Sequence, residues 1–341
     1  MTTFANRYIG IGKESTYGSA SGSDAYGEMD DENFSENFDL LTRADITRFG
    51  STKSIDSKHY GEGTVNGVLQ PDFFIMRLLN GVYGNHTPGG TPGIADTLAE
   101  SAGNTLPSFT VRIGRDENAH EFTGQVVESV SVSATVGEYA MFSASLTGKG
   151  QNTSLLSLAS PSYDYTGDAA HFVGAYVNFE APATNSNYSK LIQSIDFEIK
   201  TNRDMDNSYG LGDATCTRAA PMQLREISGN ITFHKAVLSG DVTSFDEPHY
   251  TELLAGLLQD GTTAAPALSA LFYVDSLNYI RFDFPKVHYG APTTSISGRD
   301  SQTMSVPFTV LYDAAETFMS KVTFSSASTK LKGGGATDMD A

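Results

Sequence analysis

The 341-residue sequence predicts a mainly-β protein made of two tandem copies of one unit, each carrying one short packed helix. Three observations lead there. Gly is plentiful, at 33 residues, and no long helical periodicity runs through the chain, which favours strands joined by turns. The segment His120–Val136 alternates: Val126, Glu128, Val130, Val132 and Ala134 fall on one face, and Gln125, Val127, Ser129, Ser131 and Ser133 on the other. That is the pattern of a half-buried antiparallel strand. Finally, the order of elements in the first half returns in the second at an offset of roughly 160 to 175 residues, the mark of an internal repeat.

Each element has its own signal. Arg7–Ser15 reads as an arm and strand, and the Ser/Gly/Asp-rich Thr16–Glu32 as a loop. Phe34–Ile46 has Phe34, Phe38, Leu40 and Ile46 at imperfect strand spacing, and the polar Gly50–Gly63 reads as a long excursion. Val65, Val68 and Leu69 mark a strand. Pro71–Gly84 is a short helix over Pro71–Val82, with Pro at its start and Gly past its end. Gly84–Pro107, rich in Gly, Pro and Thr, reads as a surface loop. The strands "SFTVRIG", "HEFTGQVVESVSVSATV" and "EYAMFSASLTG" complete the first unit.

The same order then recurs. "NFDLLTRAD" at Asn37 matches "DFEIKTNRD" at Asp196, and "GTVNGVL" at Gly63 matches "GNITFHK" at Gly229. The helix returns as Pro248–Leu258, the hairpin as Leu271–Val287, and the closing strand as "SGRDSQTMSVPFTVLYD". These matches divide the chain into a first unit (1–152), a linker (153–167), a second unit (168–326) and a flexible C-terminal tail (327–341). Gly50–Gly63 and Met205–Met222 hold equivalent places. Too polar to fold onto their own surface, they are expected to clasp a neighbouring subunit.

Composition removes several function classes. A net charge of −18 repels nucleic-acid phosphates, so a nucleic-acid-binding role is disfavoured. With Asp exceeding Glu and Lys scarce, the acidity suits a salt-loving setting, passage of a polyanion, or both. No apolar run is long enough to span a membrane, and no secretory signal opens the chain, so assembly in a cytoplasm is expected. The single cysteine, Cys216, allows no internal disulfide and no cysteine-based zinc site; it reads as structural.

Catalytic motifs fail one by one. "GIGKES" resembles part of a phosphate loop, but Arg7 and Glu14 stand where that motif needs Gly and Ser or Thr. Asp204 and Asp206 have calcium-loop spacing, yet Tyr209 and Thr215 replace the turn glycine and the bidentate glutamate, leaving a solvated loop. His59, His86, His120, His171, His234, His249 and His288 form no i, i+4 pair, and His120-Glu121 lacks the second histidine of a metalloprotease. There is no Gly-x-Ser-x-Gly elbow. Asn33, Asn152 and Asn230 begin glycosylation-type triplets at the frequency that composition alone produces. The many Phe and Tyr residues read as core and cross-strand partners, since no basic residues interleave with them. No catalytic, cofactor or metal residue is nominated, and the protein is expected not to be an enzyme.

The N-terminal "RYIGIGKESTYGSA", the strand ending "LLTRAD", the Gly-x-Val-x-Gly strand, the short helix and the closing "ISGRDSQTMSVPFTVLYD" together resemble major tail tube proteins of long-tailed viruses. That resemblance implies a β-sandwich unit that lends strands to a barrel lining a tube, six units to a ring. With two units per chain, three chains would complete a ring, and rings would stack into a filament. The resemblance implies a virion protein whose partners are copies of itself and the tape-measure, tail terminator and baseplate proteins, with viral DNA passing through the lumen unbound. A salt-loving host, such as a haloarchaeon, fits the acidity. The competing expectation is another structural β protein, such as a head-fibre, pilus-like, surface-layer or adhesion subunit.

Overall fold

The computed structural model describes residues 7–44, 49–89, 95–100, 106–152, 156–165, 167–178, 192–234, 267–291, 293–295 and 303–326. In chain order the strands of the first half are β1 (Tyr8–Lys13), β2 (Ala25–Gly27), β3 (Asp31–Glu32), β4 (Ser35–Ala44), β5 (Ser51–Val68), β6 (Gly84–Thr87), β7 (Asp96–Glu100), β8 (Phe109–Arg115), β9 (Asn118–Thr135), β10 (Met141–Gly148) and β11 (Gly150–Gln151). Those that follow are β12 (Ala175–Asn178), β13 (Ile192–Lys200), β14 (Glu226–His234), β15 (Leu268–Asp275), β16 (Asn278–Phe284), β17 (Val287–Tyr289), β18 (Thr293–Ser295), β19 (Thr303–Val310) and β20 (Lys321–Ser325). One α-helix, α1 (Phe73–Tyr83), lies among the described residues. The protein is mainly β, as its composition predicts.

Two antiparallel sheets organise the chain. The long sheet runs β17-β19-β14-β13-β9-β10-β5-β3, with β4 carrying on from β3 along β5 and β18 lying beside β19. The smaller sheet runs β12-β15-β16-β20-β7-β6. Both cross from the first half of the chain to the second, at β9·β13 and at β20·β7. Within the long sheet one order appears twice: β4-β5-β10-β9, then β13-β14-β19-β17.

Two glycines lie at close approaches in these two runs of strands. A Cβ on Gly63 would strike the Phe34 ring at 2.4 Å, and one on Gly229 would strike Asp196 O at 2.3 Å and the Phe308 ring at 2.6 Å. Gly229 lies opposite Phe197 on β13, whose Cβ would stand 2.8 Å from the added one, and the ring it makes room for, Phe308, comes from β19 on the other side. Aligning the two glycines pairs Phe197 with Phe34, four residues from the sequence match to Phe38. Phe34 is buried, whereas Phe38 is exposed.

Helix α1 is buried along its whole length, including the two polar side chains it carries on one side, Arg77 and Asn80. Asp72 caps its start, accepting from Ile75 N at 2.7 Å, and Gly84 ends it in the left-handed region at φ 81°. Arg77, the one cation inside it, lies over the Phe73 ring and bonds Asp24. Burial raises the Asp72 carboxyl well above the usual carboxylate range.

Several sequence expectations are corrected. Gly50–Gly63 is no excursion: Ser51–Val68 is one long strand, paired to β4. Its outer part has no core beneath it, so neither face needed to be apolar and the alternation that marks a strand is missing. Thr16–Glu32 contains β2 and β3, and Gly84–Pro107 contains β6 and β7. In β9 the alternation slips at a bulge. Opposite β10, Ser145 faces Ser129 and Leu146 faces Val127, which leaves Glu128 unopposed and exposed while Val127 turns into the core. Met205–Met222 does fold onto its own chain: Cys216 and Ala220 are buried there, His59 N donates to Ala214 O, and Lys58 pairs with Asp206 at 2.5 Å. The expected helix Pro248–Leu258 and the tail 327–341 lie outside the described residues.

Candidate assembly surfaces

The motifs set aside in the sequence take structural places. "GIGK" lies in β1, not in a phosphate loop. Glu14 next to it is buried and takes four donors: Gly18 N, Ser108 Oγ, Thr110 Oγ1 and Gly124 N, all within 2.9 Å. It straps the segment after β1 across the sandwich. Asp204 accepts from Asn207 N, Asn207 Nδ2 and Gln223 Nε2, which hold its carboxyl below the usual range. The described histidine side chains stay apart: His59 against Phe38, His86 beside Asp96 at 3.6 Å, His120 by Gln151, His171 bridging Tyr139, and His288 exposed on β17. Among the described residues no group of three or more His, Cys, Asp or Glu could hold a metal, and no helix is long and apolar enough to cross a membrane.

What the fold builds instead is surface. The junction β9·β13 is a completed one. Val130, Val132 and Ala134 lie opposite Ile199, Phe197 and Ile195, all buried. Thr201 Oγ1 donates to Val127 O at 2.9 Å and to Glu128 O at 3.0 Å, across the bulge. Behind it sits a buried polar lock. Arg225 pairs with Glu100 at 2.9 Å and donates to Val82 O, and its guanidinium lies over the Tyr83 ring. Ser320 Oγ in turn donates to Tyr83 Oη at 2.9 Å. These residues come from separate stretches of sequence, and no motif announces them.

The outermost strands of the long sheet carry no strand on their outer sides among the described residues. One edge is β3 with β4, the other β17 with β18. Unpaired edges are templates for pairing with another chain.

The sheet's two faces differ. One packs the core. The other carries Thr64 and Asn66 of β5, Ser143 and Ser145 of β10, Ser129, Ser131 and Ser133 of β9, and Ser228, Asn230 and Thr232 of β14. Its charges on β5, β13 and β14 are mostly acidic: Glu62, Asp196, Glu198 and Glu226. Lys200 on β13 is neutralised by Glu198 at 3.0 Å, and Lys58, further along β5, pairs with Asp206.

The ends differ too. At the upper end, marked by Gly61, Gly148 and Lys200, the β4–β5 hairpin continues past its neighbours, since β10 pairs with β5 only over residues 61–68. At the lower end, marked by Val68, Met141 and Thr135, the β9–β10 turn meets the segment around His171 through the Tyr139–His171 bridge and a bond from Phe172 N to Glu138 O.

A family model described as "Phage tail tube protein" matches residues 5–310. No curated protein matches the chain.

Proposed function

The chain belongs to the phage tail tube protein family, and from that premise we propose how its surfaces build the tube. The protein is a structural component of the virion tail. The chain is read as two tandem units, 1–152 and 168–326, joined by the linker 153–167, and as having no catalytic role. Three chains close a ring of six units. The edge β17–β18 of one chain pairs antiparallel with the edge β3–β4 of the next, as β9 pairs with β13 inside the chain.

The observation that carries this reading is the repeated strand order. Four strands are followed by the same four, and the join between them is an ordinary antiparallel pair. A head-to-tail pattern that already occurs once inside the chain leaves one matching edge free at each side. Repetition of that join closes a barrel and abolishes the edges.

In that barrel the hydroxyl-rich face lines the lumen. It offers passing DNA no unpaired cation among the residues named above, and its carboxylates repel phosphate, so DNA moves through without binding. The tape-measure, terminator and baseplate proteins are the other expected partners, and assembly takes place in the host cytoplasm. The acidic excess also suits high salt: the screening length falls from about 30 Å at 0.01 M to about 3 Å at 1 M. Tubes dialysed from molar salt into dilute buffer should therefore loosen, as electron microscopy would show.

Hydrogen exchange tests the edges. Amides of residues 31–37 and 293–295 should exchange fast in dissociated subunits and become protected in tubes, while those of 130–134 and 195–199 stay protected in both. Edges that remain unprotected in intact tubes would contradict the pairing.

A further inference from the structure

A small cavity opens at one end of the smaller sheet. Its walls come from the start of β15, the end of β16 and the start of β20, where Leu268 lies opposite Phe284, and Asp283 lies between Ser269 and Lys321. The turn between β19 and β20 closes it. Asp313 N donates to Phe318 O at 3.2 Å and Thr317 N to Asp313 O at 2.8 Å, which brings Asp313, Glu316 and Phe318 to the cavity. Its volume is about 200 Å³. Clefts that hold a drug-sized ligand run to roughly 300–1,000 Å³, so this one suits a smaller group.

The lining divides in two. Leu268, Phe284, Pro285 and Phe318 make the walls apolar, whereas Asp283, Asp313 and Glu316 supply carboxylates. Glu316 is exposed, Asp313 half-buried and Asp283 buried, so the carboxylates lead inward. Asp283 is the informative one. Its side chain is 9% exposed and its Oδ2 accepts from Arg281 Nε at 2.9 Å, yet its Oδ1 has no hydrogen-bond partner among the described residues. A buried carboxylate oxygen without a donor costs free energy, and native folds leave few such atoms. Lys321 is the obvious donor, directly across the strand pair, but its ammonium lies over the Phe318 ring at 5.3 Å instead. The deepest carboxylate is left one donor short.

The donor that fits is organic. A metal ion would need three or more ligating side chains gathered together, and the described residues form no such group. Apolar walls around a carboxylate suit a cation carried on an aliphatic stem, because the methylenes gain by leaving water while the charged head keeps its partner.

We propose that this cavity binds a primary ammonium on an aliphatic stem, with Asp283 Oδ1 accepting from the ammonium and the methylenes lying against Phe284 and Phe318. Two sources carry that chemistry: a free polyamine, or a lysine side chain of another chain. In a chain of net charge −18, either removes part of the repulsion between neighbouring subunits. The inference goes beyond the ring reading and does not depend on it.

Titration calorimetry of unassembled full-length subunits with spermidine reads the site without any tube. One saturable site per chain is expected, weakened at least about tenfold by Asp283→Asn and about two- to fivefold by Glu316→Gln at the mouth. Circular dichroism checks that both variants fold, and the exposed Glu316 keeps the test open if Asp283→Asn does not. Glu117→Gln, in the β8–β9 turn, removes one charge outside the cavity and should leave binding unchanged. Cryo-electron microscopy of tubes then separates the sources. A neighbouring chain's lysine in the cavity, with spermidine excluded, identifies the side chain; spermidine density there identifies the free amine. Binding that Asp283→Asn leaves intact, or that Glu117→Gln weakens equally, is diffuse attraction to an acidic protein and overturns the site. So does a titration without a saturable site, together with tubes whose cavity holds no ammonium.

Discussion

β4 and β13 hold the same place in the repeated strand order, and they differ in two circumstances, the neighbour at the outer edge and the reach of the strand beyond the core. β13 has β9 along its outer edge; β4 has no strand along its outer edge among the described residues. Where the chain supplies a neighbour, the apolar residues Ile195, Phe197 and Ile199 are buried and the strand is nine residues long. Where it does not, the strand reaches ten residues and Phe38, Leu40 and Leu41 are exposed. One element has thus been tuned to two settings, a finished junction and an unfinished one. The second makes sense only when another chain arrives.

Substitutions can break that comparison. The largest effect is expected for Ile199→Asp, which buries a carboxylate in the finished junction. It should cost about 4 kcal/mol or more, enough to unfold a domain of ordinary stability. Leu41→Asp, on the open strand, should leave the subunit's denaturation midpoint within about 0.5 kcal/mol of the parent and block assembly instead. Comparable subunit destabilisation by both would show that β4 is finished within the chain after all.

Arg225→Ala comes next. It leaves Glu100 largely buried without its partner, with an expected loss of roughly 3–5 kcal/mol in urea melts. The lock joins the two halves, so unfolding should also lose cooperativity, with the halves melting at different urea concentrations. A loss under about 1 kcal/mol would mean that the strand pairings β9·β13 and β20·β7 hold the halves together without the lock.

Gly63→Ala and Gly229→Ala sharpen the claim that the halves are copies. In each a Cβ meets a neighbour at under 2.5 Å, so each should cost about 1–3 kcal/mol by overpacking. Similar losses fit equivalent positions, whereas a tolerant Gly63 would argue that the first half is packed differently. The smallest effect is expected for Thr201→Val. It removes the hydroxyl that donates to Val127 O and Glu128 O and should cost about 1 kcal/mol by thermal melting, with no effect on the open edge.

Much of the fold was legible in the sequence because the core follows simple periods. The helix declared itself through Pro71 and Gly84, and β10, β15 and β16 through their alternation. Gly63 and Gly229, which the sequence matches to each other, each stand where a neighbouring phenylalanine needs room. Strands without a core face could not be read in that way. The outer part of β5 is exposed on both sides, so its polar sequence resembled a loop. Glu128 looked like part of a continuous face because a bulge shifts side chains without leaving a compositional mark. The assembly surfaces were the least legible: Arg225, Glu100 and Ser320 meet only in three dimensions, and an open edge differs from a closed one by the absence of a neighbour, not by any residue.

The central claim is that the join inside the chain repeats between chains, so that three chains make a ring of six units. Cryo-electron microscopy of tubes assembled from the purified protein tests it most directly, through the symmetry about the tube axis. Three chains per ring are expected, with true threefold and approximate sixfold symmetry and with β17–β18 beside β3–β4 of the next chain. Six chains per ring, with the second half of each lying outside the barrel wall, would contradict it.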